Sequence, residues 1–365
     1  MRITAAVVPE LHADFRVEEV ELDDPHPGEA LIRIVACGVC HTDDITRHGD
    51  LPFPPPGVLG HEGAGVVEAV GDGVTNVTPG DHVVIGWPFC GECRNCLDGQ
   101  PRYCFQIGPL VAGGGRPDGS TALARPDGSP LHSHFFGQSA FGTHAIVGAN
   151  ALVPVAQSLP LDLLGPLACG VGTGAGAIFN VLRPELGSRV VVYGAGSVGL
   201  AAVMAARCSG ATTIIAVDLQ PGRLKLASEL GATHTVDARE DPVAAVKEIC
   251  GRLADFSLEC TGSIEVLRQA ADSVGMRGTC ALIGGAPAKA EFTLDHVSTL
   301  WGKRIVGILG GEGRSVQLIP GLIELWQQGR FPFDRLISTF PLEQINDAFA
   351  AAHEGGVLKP VLKMD

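Results

Sequence analysis

Residues 189–218, RVVVYGAGSVGLAAVMAARCSGATTIIAVD, constrain the fold of this chain more than any other stretch. They read as an apolar β run, a tight glycine turn, an Ala-rich helix and a second β run. A unit of this kind buries its apolar faces in a parallel sheet covered by helices on both sides. The chain beyond it keeps the alternation. THTVDA (233–238), DFSLECTG (255–262), GTCALIGG (278–285) and KRIVGIL (303–309) supply further strands, and PGRLKLASELGA, DPVAAVKEICG and SIEVLRQAADSV have helical periodicity. The expected fold class is α/β, with a doubly wound parallel sheet over this region.

Gly194, Gly196 and Gly199 spell G-x-G-x-x-G directly after the β run Val190–Tyr193 and at the start of a helix. That is the context the dinucleotide fingerprint requires. The first glycine makes the turn, the second lets a pyrophosphate approach the backbone, and the third lets helix and strand pack closely. Ser197 and Val198 complete the loop, whose helix N-terminus faces the phosphates. Asp218 ends the second strand, 19 residues after Gly199. A carboxylate there hydrogen-bonds the adenosine ribose 2′-OH and repels a 2′-phosphate, so NAD is expected over NADP. Arg223 is close enough in sequence to offer a phosphate a partner.

The flanking chain differs. Up to about residue 155 it is β-rich, with ALIRIVACGV (30–39) and GAGVVEAV (63–70) as strands between turn clusters. Residues 105–134 form a Gly-, Pro- and Asp-rich excursion without periodicity, of a length that suggests a functional loop or an interface arm. At 365 residues the chain suggests two domains. Residues 1–170 and 310–365 are expected to form one, with 171–309 inserted as the cofactor domain.

Composition removes several function classes. Lys and Arg total 26 against 40 Asp and Glu, a net charge of −14, with no basic run for a nucleic acid or an anionic membrane surface. The N-terminus lacks a basic region followed by an apolar one, so no signal peptide is expected. Pro154, Pro160, Asp162 and Pro166 interrupt the charge-poor stretch 145–182, which argues against a spanning helix. Eleven cysteines without an export signal read as cytoplasmic thiols and metal ligands.

Four of them, Cys90, Cys93, Cys96 and Cys104, fall at C-x₂-C-x₂-C-x₇-C. Four thiolates fill a tetrahedral zinc and leave no room for substrate, so this metal is expected to be structural. An iron–sulfur run of the bacterial type would place its fourth cysteine three residues on, before a proline. Cys40, His61 and Cys169 are more scattered. Two thiolates and an imidazole make a set that leaves one zinc position open. Cys37-x-x-Cys40 also has redox spacing, but a zinc-bound Cys40 would already be committed. Cys208, Cys250, Cys260 and Cys280 fall in the helices and strands of the cofactor region and read as buried hydrophobes.

GVCHTDD (38–44), LGHEGAG (59–65), GDHV, the four-cysteine lobe, LGPLACGVGTGAGA (164–177) and the glycine fingerprint occur in one order along the chain. Together they resemble the zinc-dependent medium-chain alcohol dehydrogenases, whose own catalytic set is Cys₂His. CHTDD, HFFGQSAFGTHA (134–145), QQGRFPFDRLI (327–337) and LKPVLK are most similar to the aryl-alcohol branch, some relatives of which act on allylic terpene alcohols. The resemblance implies a GroES-like catalytic domain beside a Rossmann domain, with two zinc ions and NAD. It implies that Cys40, His61 and Cys169 bind the catalytic zinc, with Asp43 bonded to His61 and Glu62 behind the metal as an occasional ligand. Thr42 would take the alcohol proton, His41 would meet the pyrophosphate, and Thr173 and Val198 would press on the nicotinamide. The zinc and the nicotinamide would share a cleft between the domains.

One position departs from the family pattern. Many members carry a histidine five residues after the first ligand to end the proton relay; here it is Ile45. The relay then ends at solvent, at a ribose hydroxyl or at another base such as His48. Ile45, Trp87, Phe89, Phe135, Phe136 and Phe141 are candidates to line a pocket for a flat apolar alcohol. The substrate expected is a primary aromatic or allylic alcohol. A glutathione-dependent formaldehyde dehydrogenase is the rival reading and needs basic contacts from Arg102, Arg116 and Arg125. A general aliphatic or terpene alcohol dehydrogenase is another. A non-catalytic zinc- and nucleotide-binding protein would have no use for an open metal position. The 105–134 excursion resembles an insertion of dimeric members, so a homodimer is expected, with a tetramer as the alternative.

Overall fold

The structure, a computed structural model, describes residues 1–364. Two compact units emerge: Met1–Cys169 with Gly313–Gly321 and Asp334–Asp365, and Gly170–Glu312 with Leu322–Phe333. The returning C-terminal chain is therefore itself divided, with Leu322–Phe333 packing in the second unit.

The first unit is built on two sheets. In the larger, Leu152–Val155, His82–Ile85, Gly63–Val70, Glu29–Gly38, Lys359–Lys363 and Ile337–Pro341 lie side by side, and His144–Gly148 also pairs with Glu29–Gly38. The strand Glu29–Gly38 alternates between buried and more exposed side chains through Val35, then buries Ala36, Cys37 and Gly38 in succession. The period-2 pattern of a one-faced strand gives way where the chain dives toward the site. The C-terminal strand is registered there as well, with Val361 opposite Gly38 and Leu362 opposite Cys37. Phe141 is fully buried in this core, edge-on to Phe15 and Phe349.

The smaller sheet corrects the expectation of an irregular excursion at 105–134. Ile107–Ala112 is helical, Leu123–Ala124 pairs with Arg16–Leu22, and Pro130–Leu131 pairs in turn with Leu123–Ala124 at the sheet edge. Arg116 is buried and anchors the segment by donating to both Glu29 oxygens at 2.9 and 3.1 Å and to Asp23 at 3.2 Å. These long-range ion pairs leave no periodic signature in the sequence.

The second unit contains a six-stranded parallel sheet. In spatial order the strands are His234–Asp237, Ala211–Asp218, Ser188–Tyr193, Ala254–Glu259, Val274–Leu282 and Arg304–Gly307. Numbered along the chain this is 3-2-1-4-5-6, the doubly wound order whose switch point lies beside the first strand. Cys250 and Cys280 are buried in this unit, whereas Cys208, at the end of its helix, and Cys260, just past the strand Ala254–Glu259, are partly exposed, contrary to the expectation of four buried thiols. Among the described residues no single helix is long and apolar enough to cross a membrane.

Candidate active site

Cys40 caps the seven-residue helix His41–Arg47. Its backbone N–H donates to Asp43 Oδ2 at 3.0 Å, and the Asp43 N–H returns to the Cys40 carbonyl at 3.1 Å. The other Asp43 oxygen accepts from the Gly60 N–H at 3.1 Å and pairs with His61 Nδ1 at 2.9 Å. One fully buried carboxylate thus ties the loops of two candidate ligands together. Its contact with Nδ1 turns His61 Nε2 outward as the metal-binding nitrogen. That Nε2 is buried and has no hydrogen-bond partner.

Cys169 follows the turn Gly165–Ala168, which runs close under His61–Gly63. A β-carbon at Gly165 would collide with the Glu62 carbonyl, and one at Gly38 with the Glu62 carboxylate. The glycines are what let these backbones close on one point. Cys40, His61, Glu62 and Cys169 each bring one ligand atom within 4.8 Å of the others. Hydrogen bonding from Cys169 holds Cys40 well below the usual thiol range, while the same contact and burial raise Cys169. Burial opposes a charged His61, but Asp43 outweighs it and the net shift is well upward. Negative charge therefore converges on an imidazole nitrogen without a partner. Two thiols and an imidazole in such a field suit zinc.

Thr42 Oγ1 lies 3.6 Å from Cys40 Sγ, so this hydroxyl borders the cluster. His41 is exposed on the same helix and Ile45 is half-buried one turn on. His48 is exposed at the helix end, with Nδ1 2.8 Å from the Asp44 carbonyl and its ring 5.4 Å from that of His12. Phe136 stacks on His61 at 4.5 Å, Phe135 meets it edge-on at 5.6 Å, and Trp87 stands edge-on to Phe136 at 4.8 Å. Phe135 and Phe136 are both buried, so they back the histidine.

Two contributors went unrecognised in the sequence. Lys359 Nζ lies 3.0 Å from each Glu62 oxygen and 2.9 Å from the Val39 carbonyl, with 2% of the residue exposed. Burial pulls its pKa down, but Glu62 and the two thiolates outweigh that and raise it. Gln138 accepts from the Gly63 N–H at 3.0 Å and donates to the His61 carbonyl at 3.1 Å, clamping the GHEG turn. In LKPVLK, Lys359 and Lys363 look alike. Only strand register separates the buried one from Lys363, which pairs with Asp162 at 3.1 Å.

The four-cysteine lobe is local and closed. Sulfur–sulfur separations of 3.5, 3.9 and 4.0 Å bracket the edge of about 3.8 Å expected for a tetrahedron with bonds of about 2.3 Å. Backbone N–H groups of Cys90, Cys93 and Gln106 point at the sulfurs at 3.3 to 3.4 Å, supporting thiolate charge. Cys93 is pushed down to about 6, first by the Phe105 backbone.

In the second unit, Gly194 turns the chain at φ 91. A β-carbon at Gly199 would strike the Gly194 carbonyl, so that glycine serves packing. A β-carbon at Gly196 would meet nothing within 4 Å, so its absence leaves space for a ligand at the helix start. Ser197 and Val198 open that helix, and Thr173 lies on the adjoining helix Gly170–Gly176, where Gly174 packs against the Val198 carbonyl. Asp218 is held by the N–H groups of Ala195 at 2.7 Å and Gln220 at 2.8 Å, each oxygen keeping a lone pair for a ribose hydroxyl. Gly194, Asp218 and Arg223 border one groove of about 500 Å³. The residues fit a dinucleotide.

Two family models match the chain: "Alcohol dehydrogenase GroES-like domain" over residues 26–157 and "Zinc-binding dehydrogenase" over residues 197–327. A geraniol dehydrogenase of Castellaniella defragrans is 43% identical, with 98% of this chain and 96% of that protein covered. An S-(hydroxymethyl)glutathione dehydrogenase of Paracoccus denitrificans is 34% identical, covering 99% and 100%. The crystal structure of benzyl alcohol dehydrogenase from Acinetobacter calcoaceticus superposes with a TM-score of 0.97 at 42% identity, covering all of both chains. The chain belongs to the zinc-dependent medium-chain alcohol dehydrogenases. It is an oxidoreductase that interconverts alcohols and aldehydes with zinc and NAD.

Proposed function

We propose that this enzyme oxidises primary alcohols whose carbinol carbon adjoins a π-system, aromatic or allylic, as a cytoplasmic homodimer. The observation that carries the reading is the pair of relatives named for geraniol and benzyl alcohol, each above 40% identity over nearly the whole chain. Both alcohols are primary and unsaturated next to the carbinol. Half-buried Ile45 adds apolar surface on the Thr42 helix, while Phe135 and Phe136 pack behind His61. The glutathione reading loses support at two of its three arginines, because Arg116 is held by Glu29 and Asp23, and Arg125 by Glu18 at 3.1 Å; Arg102 carries no ion pair, so formaldehyde with glutathione stays in the test below.

Cys40, His61 and Cys169 would hold the catalytic zinc, and Cys90, Cys93, Cys96 and Cys104 the structural one. Catalytic zinc supplies a Lewis acid that lowers the pKa of the alcohol, and NAD accepts the hydride. Asp43 keeps His61 oriented and Thr42 receives the hydroxyl proton. Ile45 has no proton to exchange, so the proton passes from Thr42 to solvent or a ribose hydroxyl. Lys359 holds Glu62 at the back of the cluster. The Gly194–Gly199 turn and His41 would meet the pyrophosphate of NAD, Asp218 the adenosine ribose with Arg223 beside it, and Thr173 and Val198 the nicotinamide.

The deciding measurement is kcat/KM with NAD for benzyl, cinnamyl, geranyl and straight-chain alcohols, beside formaldehyde with glutathione. The first three should exceed the saturated alcohols at least tenfold. Faster turnover of formaldehyde with glutathione would replace this reading. Sedimentation of the same preparation should give twice the chain mass.

A further inference from the structure

The first unit contains a cavity of about 260 Å³ to which none of Cys40, Thr42, His61 and Cys169 contributes a wall. It is slightly smaller than the usual ligand pocket of about 300 to 1,000 Å³, which limits it to a small molecule. Trp87, Phe89 and Val316 give it apolar walls, while Arg102 and Arg314 add two cationic side chains, and among the described residues that line it there is no carboxylate. This is unexpected in a chain with 40 acidic residues against 26 basic ones.

Arg102 is the anomaly. Only 4% of it is exposed. Its Nη2 donates to Ser315 Oγ at 3.0 Å and its guanidinium lies 4.8 Å from the Trp87 ring centre, but Nε has no hydrogen-bond partner. Trp87 Nε1 is likewise buried and without a partner. The one opposite charge acting on it is that of Cys169, which opposes the effect of burial without reversing it; burying a guanidinium without a hydrogen-bonded counter-ion is costly unless a ligand completes the arrangement. Burial lowers its pKa to about 10, which still leaves it charged at neutral pH. A guanidinium fork favours a planar two-oxygen anion. Aromatic and aliphatic walls favour an apolar body behind that anion.

We propose that this cavity binds the carboxylate of a small apolar monoanion, such as an aromatic acid, with Arg102 as its principal partner and Arg314 as a secondary charge. Trp87 lines the cavity and also touches Phe136, which stacks on His61, so an occupied cavity sits two ring contacts from a candidate metal ligand. The class of compound is that produced when an aldehyde product is oxidised once more.

The test is calorimetric titration of the zinc-loaded enzyme with benzoate, and with benzamide as its neutral isostere, alongside tryptophan fluorescence. Benzoate should bind saturably and at least tenfold more tightly than benzamide. Arg102→Gln should weaken benzoate at least tenfold, and Arg314→Gln by ~2–5-fold with kcat/KM for the alcohol unchanged. Trp87→Phe should remove the fluorescence change and leave calorimetric binding. No saturation of the wild type by ~10 mM benzoate overturns the proposal. So does equal binding by Arg102→Gln, or binding that a competing alcohol removes while Arg102→Gln leaves it intact, which would place benzoate at the catalytic zinc. Should Arg102→Gln fail to fold, Arg102→Lys decides: it keeps the charge without the fork and should still lose several-fold, and undiminished binding counts against the proposal.

Discussion

Cys90, Cys93, Cys96 and Cys104 lie in one short stretch, whereas Cys40, His61 and Cys169 are drawn from over a third of the chain. The first group is organised by its own turns, with backbone N–H groups of the same loop aimed at the sulfurs. The second is organised by other side chains and by close backbone approaches. Asp43 ties Cys40 to His61, Gln138 clamps the turn after His61, Lys359 restrains Glu62, and Gly38 and Gly165 admit Glu62 between them. Four like ligands close a sphere. Three ligands of two kinds would leave a fourth zinc position for water or substrate. A local cluster can brace a loop without the rest of the fold, but a scattered one exists only when the fold is complete. That dependence suits a site whose geometry must be held for chemistry.

The sharpest way to break this contrast is to remove one ligand from each side. Cys40→Ser or His61→Ala should lower kcat/KM by ~10³-fold or more, which is ~4 kcal/mol of transition-state stabilisation. The NAD dissociation constant should stay within about twofold, because Gly196 and Asp218 belong to the other unit. Near-normal turnover of a chain with one fewer zinc would refute the assignment. Cys93→Ser is the counterpart. It should cost one zinc per chain and lower Tm by about 5–10 °C, with turnover per folded chain retained within a few-fold. A variant of normal Tm and normal assembly but no turnover would reverse the two roles.

The same contrast explains what the sequence disclosed. The local cluster is readable from spacing alone, and so is the glycine fingerprint, because strand, turn and helix are contiguous from Ser188 to Asp218. The parallel sheet follows from strand–helix alternation. Cys40, His61 and Cys169 could be gathered as a possible three-ligand set, but no spacing rule joins them and their shared metal was implied only by the resemblance. Lys359 and Gln138 stayed hidden because a lysine in a terminal strand and a glutamine in a tight turn look like surface residues until register and burial are known. Arg102 was visible only as a loop cation, and its burial depends on Trp87 and Ser315 arriving from either side in sequence. The 105–134 segment looked irregular because ion pairs to Glu18, Asp23 and Glu29 hold it in addition to short strands.

Those ion pairs offer a third region of the same unit, belonging to neither cluster, against which both can be calibrated. Burial raises the Glu29 pKa, but His134 and Arg116 outweigh it and hold Glu29 at about 2. A free glutamate sits near ~4.3, so the folded state binds this proton less readily than the unfolded one. The stabilisation is therefore fully present above ~4.3 and is lost as pH falls toward 2. The whole shift corresponds to ~3 kcal/mol, which solvent screening of a partly exposed pair reduces to ~1–2 kcal/mol. Glu29→Gln should lose about that much at pH 7 in urea unfolding, with zinc content and turnover per folded chain unchanged. The gap to wild type should hold from pH 7 to about 5 and narrow between pH 4.3 and 3. A gap that stays constant to pH 3, or widens, would mean that packing around Arg116 and not charge secures the excursion. A fall in zinc content would mean that this anchor, too, supports one of the clusters.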